Sequence, residues 1–550
     1  MIDFANEKEK CTKMKTNGVY TDGKAGTILS FENRSGVAEN FVKVSICRKT
    51  VSVDASGDYV IPEYLPEIRK LIRIDVKTSP PTRFASATGA KIGGSLEYDA
   101  LYVGADGKMY SSDFSAEYDT SVPFDESVEY DTSESITVLA DVIPESVSGR
   151  VIGARKINIR CCLAARVGAI GGRYLRSEGV PTDSHVQRLV KKQEHFTDLT
   201  GTNDEIELRF EPNLSDGTNE CICSDCKVLV EETASGDGYV DCKGYAFVKL
   251  LARGEDGGMY TVNQKLPFSE IVEVDGNKAG SLCYAYGLCT YIKPEWKRAG
   301  DEGSSEGEKL VRVGICLSAT AFKREELEYI KDIYSTERAC ITDSEECTLV
   351  SRAFCKNGNM TFSVLDGDEV AAPLNEDLID VVAHASPGEV EDEDGKCILK
   401  GKCRFGVVYK NEEFDDAEIM SIEKEFPFRY EFSDIKDCKR ADRLEFSAFA
   451  IDPKARMDNG KMKFDCEIAV VCKMLYENKI SYVTSARFGE EHSKKKGGFT
   501  VCYPDRTDDL WSIAKKYKTV ATEMVSGNGI DADLELDTVC MPEGKKYIIV

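Results

Sequence analysis

The chain has 550 residues, of which 42% are hydrophobic and 30% charged, and a formal net charge of −25. That length exceeds what one core serves, so three or four globular domains are expected. The acidity argues against nucleic acid and anionic membrane surfaces as partners, and no stretch approaches the ~18 apolar residues of a membrane span.

At the N-terminus, MIDFANEKEKCTKMK has no apolar run of the kind a secretory signal needs. A reducing cytosol is therefore expected, with most of the 21 cysteines as thiols rather than a disulfide framework. Four histidines are a thin supply for acid–base chemistry.

The body of the chain repeats itself. LIRIDVKTSP (Leu71 to Pro80) recurs as CICSDCKVLV (Cys221 to Val230) at an offset of 150, and as LIDVVAHASP (Leu378 to Pro387) at an offset of 307. The same offsets carry Gly94 onto Gly244 and Gly401. An alternating strand follows each glycine: Leu96, Tyr98, Ala100 and Tyr102; Ala246, Val248 and Leu250; Cys403, Phe405, Val407 and Tyr409. Each copy then has a Pro-Phe step, at Pro123-Phe124, Pro267-Phe268 and Pro427-Phe428. A second alternating strand closes each copy: Ile157/Ile159/Cys161/Leu163, Val311/Val313/Ile315/Leu317 and Phe464/Cys466/Ile468/Val470. Period-2 patterns between turn residues predict antiparallel sheets with one buried face. The expectation is a mainly β chain of three repeated, sandwich-like domains over 1–170, 171–320 and 321–485. Loops are expected at Gly300–Lys309 and Glu389–Lys396, and GEEHSKKKGG (Gly489 to Gly498) reads as part of a flexible linker over 486–497.

The last segment, 498–550, has another pattern. Phe499 and Val501 begin a short strand, and an Asp/Thr cluster leads to Leu510-Trp511. Leu510, Ile513, Ala514 and Tyr517 share one helical face. Thr519 is placed to cap a second helix that buries Val520, Ala521, Met524 and Val525. Gly527-Asn528-Gly529 stops that helix. A last strand is expected from Thr538 to Met541, before Pro542. Trp511 is expected in the small core.

Few residues suggest chemistry. Cys221, Cys223, Cys226 and Cys242 have a spacing that invites zinc, yet three of them replace core aliphatics of the sister copies, so buried thiols and no metal are expected. His384 sits on a strand position matched by Lys77 and is expected to be half exposed. Gly168–Gly172 and Gly93-Gly94 lack any phosphate-binding pattern and read as turn or bulge glycines. The acidic run Glu389–Asp394 lacks EF-hand spacing and reads as a solvated loop. No cofactor is called for.

Two resemblances go further. YVIPEYLPEIRKLIRIDVK, with GSLEYDALYVGADGK and VPFDESVEY after it, resembles a SPOCS domain of spore-forming Firmicutes. The strand–helix–helix–strand at the end resembles a LysM domain, a module that binds N-acetylglucosamine polymers such as peptidoglycan. Several SPOCS units followed by LysM resemble the spore coat morphogenetic proteins of the SipL/SpoVID type. The resemblance implies a non-enzymatic scaffold, made in the mother-cell cytoplasm and acting at the forespore surface in coat assembly. Implied partners are spore coat proteins, including the coat ATPase that polymerises on the forespore, or cortex glycan. The alternative is a peptidoglycan-binding protein of the cell wall. Carried over from LysM, the groove would comprise Asp505, Thr507, Asp508, Ser526, Gly527, Asn528 and Ile530. The usual Pro-Gly-Asp-Thr-Leu-Trp stands here as Pro504-Asp-Arg-Thr-Asp-Asp-Leu-Trp511, longer, more charged and without its glycine, and the groove's ligand is left open between glycan and protein.

Overall fold

In a computed structural model, the described residues are 38–181, 183–203, 205–214, 218–255, 257–296, 309–369, 378–411, 418–433, 435, 438–493, 499–505, 508–530, 536–537 and 546–549. The chain is mainly β, with two short helices near its end. The strands fall into three successive groups. The first holds β1 (Ala38–Asp54), β2 (Gly57–Val60), β3 (Ile68–Thr78), β4 (Thr82–Ala85), β5 (Gly89–Gly104), β6 (Met109–Pro123), β7 (Thr137–Gly153) and β8 (Lys156–Ser177). The second holds β9 (Val186–Thr202), β10 (Ile206–Phe210), β11 (Thr218–Gly236), β12 (Tyr239–Gly254), β13 (Met259–Glu273), β14 (Leu282–Trp296) and β15 (Lys309–Ser335). The third holds β16 (Arg338–Glu369), β17 (Leu378–Glu393), β18 (Lys396–Asn411), β19 (Glu418–Phe432), β20 (Arg443–Asp458) and β21 (Lys461–Glu491).

Each group contains an antiparallel meander: β3-β5-β6, β11-β12-β13 and β17-β18-β19. Their registers coincide at the offsets read from the sequence. Leu71 opposes Tyr102, Cys221 opposes Ala252, and Leu378 opposes Tyr409. One residue later the register slips in all three, so that Ile72, Ile222 and Ile379 are bulged. The repeated glycine has a steric cause. A Cβ on Gly244 would collide with the Leu229 carbonyl, and one on Gly94 would stand 2.6 Å from the Tyr118 hydroxyl.

Facing each meander is a second sheet built on one long strand. β8 lies between β1 and β7, β15 pairs with β9, β10 and β14, and β21 lies between β16 and β20. The alternating apolar residues of both sheets meet in between. Leu96, Tyr98, Val248, Leu250, Phe405, Ile159, Val313 and Ile468 are all fully buried. Each such side chain contributes about 1.5–3 kcal/mol through burial.

The long strands continue past these cores as three paired arms, β1/β8, β9/β15 and β16/β21. The arms come together in a stalk. Val350 bridges to Phe196, and Ser177 Oγ donates to Val483 O at 2.6 Å. Asn40 Nδ2 donates to Glu328 O at 2.7 Å. Leu327, Leu349, Ile480 and Tyr482 fill the interior and join the first group's core. The limits read at 170, 320 and 485 therefore fall inside β8, β15 and β21, which run from body to stalk without a break.

Three local expectations are corrected. Of the 486–497 segment read as linker, residues 486–491 are the end of β21, while residues 494–498 lie outside the described residues. Glu389–Lys396 is a strand hairpin, not a loop: only Asp394 and Gly395 turn, both at positive φ. Its acids are paired across strands, Glu391 with Lys400 and Glu393 with Arg429. Gly168–Gly172 is interior strand; a Cβ on Gly172 would meet the Phe41 ring at 2.6 Å, so that glycine makes room for an aromatic rather than a turn.

The C-terminal module has β22 (Thr500–Cys502), α1 (Leu510–Tyr517), α2 (Ala521–Gly527) and β23 (Tyr547–Ile549), with β22 and β23 antiparallel. The expected strand Thr538–Met541 lies outside the described residues. Val520, not Thr519, is the N-cap residue of α2, and no side chain caps it; the Thr519 carbonyl instead accepts the Tyr334 hydroxyl of the stalk.

Candidate functional site

Two regions gather polar side chains in built arrangements. The first is the junction of the three meanders, whose outer faces meet around a common axis. Equivalent residues Leu101, Leu251 and Val408 pack there with Ile72, Ile222 and Ile379. Beside this plug, the position after each bulge brings Arg73, Cys223 and Asp380 together. Arg73 Nη1 donates to Asp380 Oδ2 at 2.7 Å and its Nε to Asp75 Oδ2 at 2.6 Å. Lys249 pairs with the other Asp380 oxygen. Burial works to raise the Asp380 carboxyl, but Lys249 and Arg73 prevail and hold it below its usual range. Asp99, the counterpart of Lys249, is pushed up to about 7 by burial against the pull of its Ser111 hydrogen bond and of Lys77. Lys227 Nζ donates to Ala383 O and Ala450 O, at 2.7 and 2.9 Å, so the second group is tied into the third. His384, its counterpart, is solvent-exposed, as its strand position implied. Crowding and then the Lys227 charge lower its imidazole to about 4.

The four cysteines of the suspected zinc pattern do not converge. Cys242 is buried in the second group's core, with Cys221 and Cys226 packed against it, while Cys223 points to the axis. Burial pushes the Cys223 thiol well up, so it is no nucleophile. Each layer presents unlike residues from the three groups (Arg73, Cys223, Asp380; Asp99, Lys249, Gly406), and the Arg73–Asp380 and Lys249–Asp380 pairs tie the first and second groups to the third.

The second region is the C-terminal module, which is clamped to the end of the stalk. Trp511 is 3% exposed and packs edge-on to Tyr334, ring centroids 4.9 Å apart. Its Nε1 donates to Asp332 Oδ2 at 2.8 Å, and Lys515 pairs with the same carboxylate at 2.7 Å. Asp537 receives Lys191 at 2.5 Å and Lys331 at 2.6 Å. Partial burial opposes its ionisation, but the two ammonium groups keep its carboxyl below the usual value. Leu189 and Tyr334 of the stalk share one core with Leu510, Ile513, Met524 and Val525. None of this clamp was read from the sequence, where Asp332, Lys331 and Lys191 look like ordinary charges on strands.

The expected groove residues divide in two. Asp505, Ser526 and Gly527 are exposed, and nothing lies within 4 Å of a Cβ placed on Gly527. Thr507 lies outside the described residues. Asp508 closes a turn with Asp505, its Oδ2 accepting the Asp505 N–H at 3.0 Å. Asp509 caps α1, accepting the Ser512 N–H at 2.7 Å. Asn528 spends its amide inside the module: Nδ2 donates to Met524 O and Ile548 O, and Oδ1 accepts the Ile548 N–H. Ile530 packs on the module core. No hydrogen bond joins the two loops among the described residues. A further surface escaped the sequence reading. Phe499, Val501, Tyr503 and Ile548 are 70%, 40%, 63% and 48% exposed, and Val501 opposes Ile548 across the sheet. The alternation of Phe499, Val501 and Tyr503 was its visible signal. No family model, curated protein or solved structure matches the chain.

Proposed function

We propose that this chain is a non-enzymatic scaffold of spore coat assembly, with three SPOCS-type units as its body and a LysM-like module as its docking element. The reading rests on the sequence resemblance, and one observation carries it beyond that. The module packs on the stalk through a shared core, with Asp505, Ser526, Gly527 and an apolar strand face all turned to solvent. A body that presents one small, anchored module to solvent suits docking better than turnover. Exposed Phe499, Val501, Tyr503 and Ile548 favour a protein partner, because apolar side chains of this size are the usual anchors of protein interfaces. By analogy that partner is the polymerising coat ATPase at the forespore surface, and the protein would act in the mother-cell cytoplasm. The second reading, capture of N-acetylglucosamine polymers, rests on the open loop residues alone.

A fluorescent fusion imaged in sporulating cells tests the proposal. Full-length protein should ring the forespore, and removal of 498–550 should disperse it. Retention of the ring without the module would assign docking to the β units. Sedimentation with purified peptidoglycan, unchanged by Phe499→Ser and Tyr503→Ser together, would favour the glycan reading.

A further inference from the structure

Cys403 on β18 and Cys466 on β21 belong to the two facing sheets of the third group. Their sulfurs are 3.8 Å apart, and both side chains are buried, at 0% and 5% exposure. They lie beside Phe405 and Phe464, whose rings meet in the same core with centroids 5.0 Å apart. A disulfide needs ~2.05 Å between sulfurs, so the two sulfurs, already in contact, must draw together for the bond to form. We propose that Cys403 and Cys466 are a reactive dithiol, which a hydroperoxide converts into a disulfide that staples the two sheets of the third group.

The pair is not symmetric. The hydrogen bond from Cys466 lowers the Cys403 thiol, and the nearby Lys227 ammonium, held by Ala383 O and Ala450 O, lowers it further against burial. Cys466 is pushed up by the same hydrogen bond and by burial, against the pull of the same Lys227 charge. Cys403 is therefore the attacking sulfur. Its thiolate attacks one oxygen of hydrogen peroxide; an S–O bond forms, the O–O bond breaks, and the other oxygen leaves as water with the released proton. The Cys466 sulfur then attacks Cys403 sulfur. The S–S bond forms, and the sulfenic oxygen departs as a second water with the Cys466 proton. Two thiols and one peroxide yield one disulfide and two waters, two electrons passing from sulfur to oxygen. Peroxide is close to water in size, so local opening of the core admits it. Two other thiol pairs interact, Cys226 with Cys289 and Cys397 with Cys438, but the Cys289 thiol and then burial push Cys226 up, burial and then the Cys438 thiol push Cys397 up, and both pairs should close later.

The test uses reduced full-length protein exposed to hydrogen peroxide, quenched by alkylation and mapped by peptide mass spectrometry. A Cys403–Cys466 cross-link should form before any other, vanish with dithiothreitol, and raise the melting temperature of the treated protein. Cys466→Ala should stop the reaction at a sulfenic acid on Cys403, trapped by dimedone. Lys227→Met should slow closure several-fold and Lys227→Arg should restore it. The proposal fails if Cys403 and Cys466 still alkylate after unfolding when the more accessible Cys162 is fully oxidised. It also fails if Cys226–Cys289 closes first.

Discussion

Asp380 illustrates how much a single carboxylate can carry. Its side chain is 1% exposed and serves Arg73 from the first group and Lys249 from the second. Asp380→Ala would strand Lys249 and leave Arg73 with Asp75 alone in a crowded interior, a loss of about 3–5 kcal/mol, read as a lower denaturant midpoint. Asp99 makes the opposite prediction about pH. Its folded value, about 7, stands above the ordinary ~3.9 of an unfolded aspartate. A group raised in this way stabilises most below its unfolded value, and that contribution is lost as pH rises through the folded one. Stability should therefore fall between pH ~4 and ~7. Asp99→Asn should flatten the decline, and an unchanged slope in denaturation curves across that range would show that Asp99 titrates normally. Asn528 was read as a ligand contact, but its amide joins α2 to β23. Asn528→Ala should thus lower the module's stability by about 1–2 kcal/mol rather than remove a binding contact.

Among the elements, the central strand of each meander is the most constrained. Its inner face fills a core, its outer face reaches the axis, and its glycine lies under a neighbouring strand. Gly244→Ala should cost about 1–3 kcal/mol as an overpacked contact with backbone, because the Leu229 carbonyl cannot swing aside as a side chain would. The same substitution at Gly107, where nothing lies within 4 Å, meets only the penalty of its positive φ of 80°. A melting temperature lowered equally by both variants would remove the steric explanation. Elements were the most legible part of the sequence. Alternation along one strand is a local record of which side is buried, so Leu96, Val248 and Phe405 declared their faces without any knowledge of partners. The common bulge at Ile72, Ile222 and Ile379 was hidden, because a bulge is a property of two paired strands. The hairpin at Asp394-Gly395 was hidden for another reason: cross-strand lysines and arginines neutralise its acids, and composition alone cannot reveal who pairs with whom.

At the scale of the whole molecule, the three groups are joined by contacts between residues far apart in sequence, which no periodicity encodes. Arg73, Lys249 and Asp380 look unrelated until the meanders meet, and so do Trp511 and Asp332. The sequence suggested a module swinging on a linker; the structure has it fixed to the stalk through apolar contacts and two charged clamps. The Lys515–Asp332 pair is partly exposed and contributes ~0–1 kcal/mol, whereas Asp537 and Lys191 are largely buried, at 5% and 15% exposure, so that clamp adds to an interface that Trp511, Tyr334 and Leu189 hold by burial. Asp332→Ala with Asp537→Ala should loosen the module while its own core of Leu510, Ile513, Ala514 and Met524 stays folded. Trypsin should then release the module faster, and the scattering radius of gyration should rise. Lowering the pH should act in the same direction. Asp537 is held below the ordinary carboxylate value, so its contribution is complete above that value and disappears as pH falls through the lowered one. Trp511→Ala removes the shared ring from both partners and should cost about 3–5 kcal/mol, unfolding the module as well as freeing it. Circular dichroism separates the two cases, since only the tryptophan variant should lose the helices. If the double aspartate variant keeps the wild-type radius and protease resistance even in high salt and at low pH, burial alone holds the module and the charged clamps have no part in it.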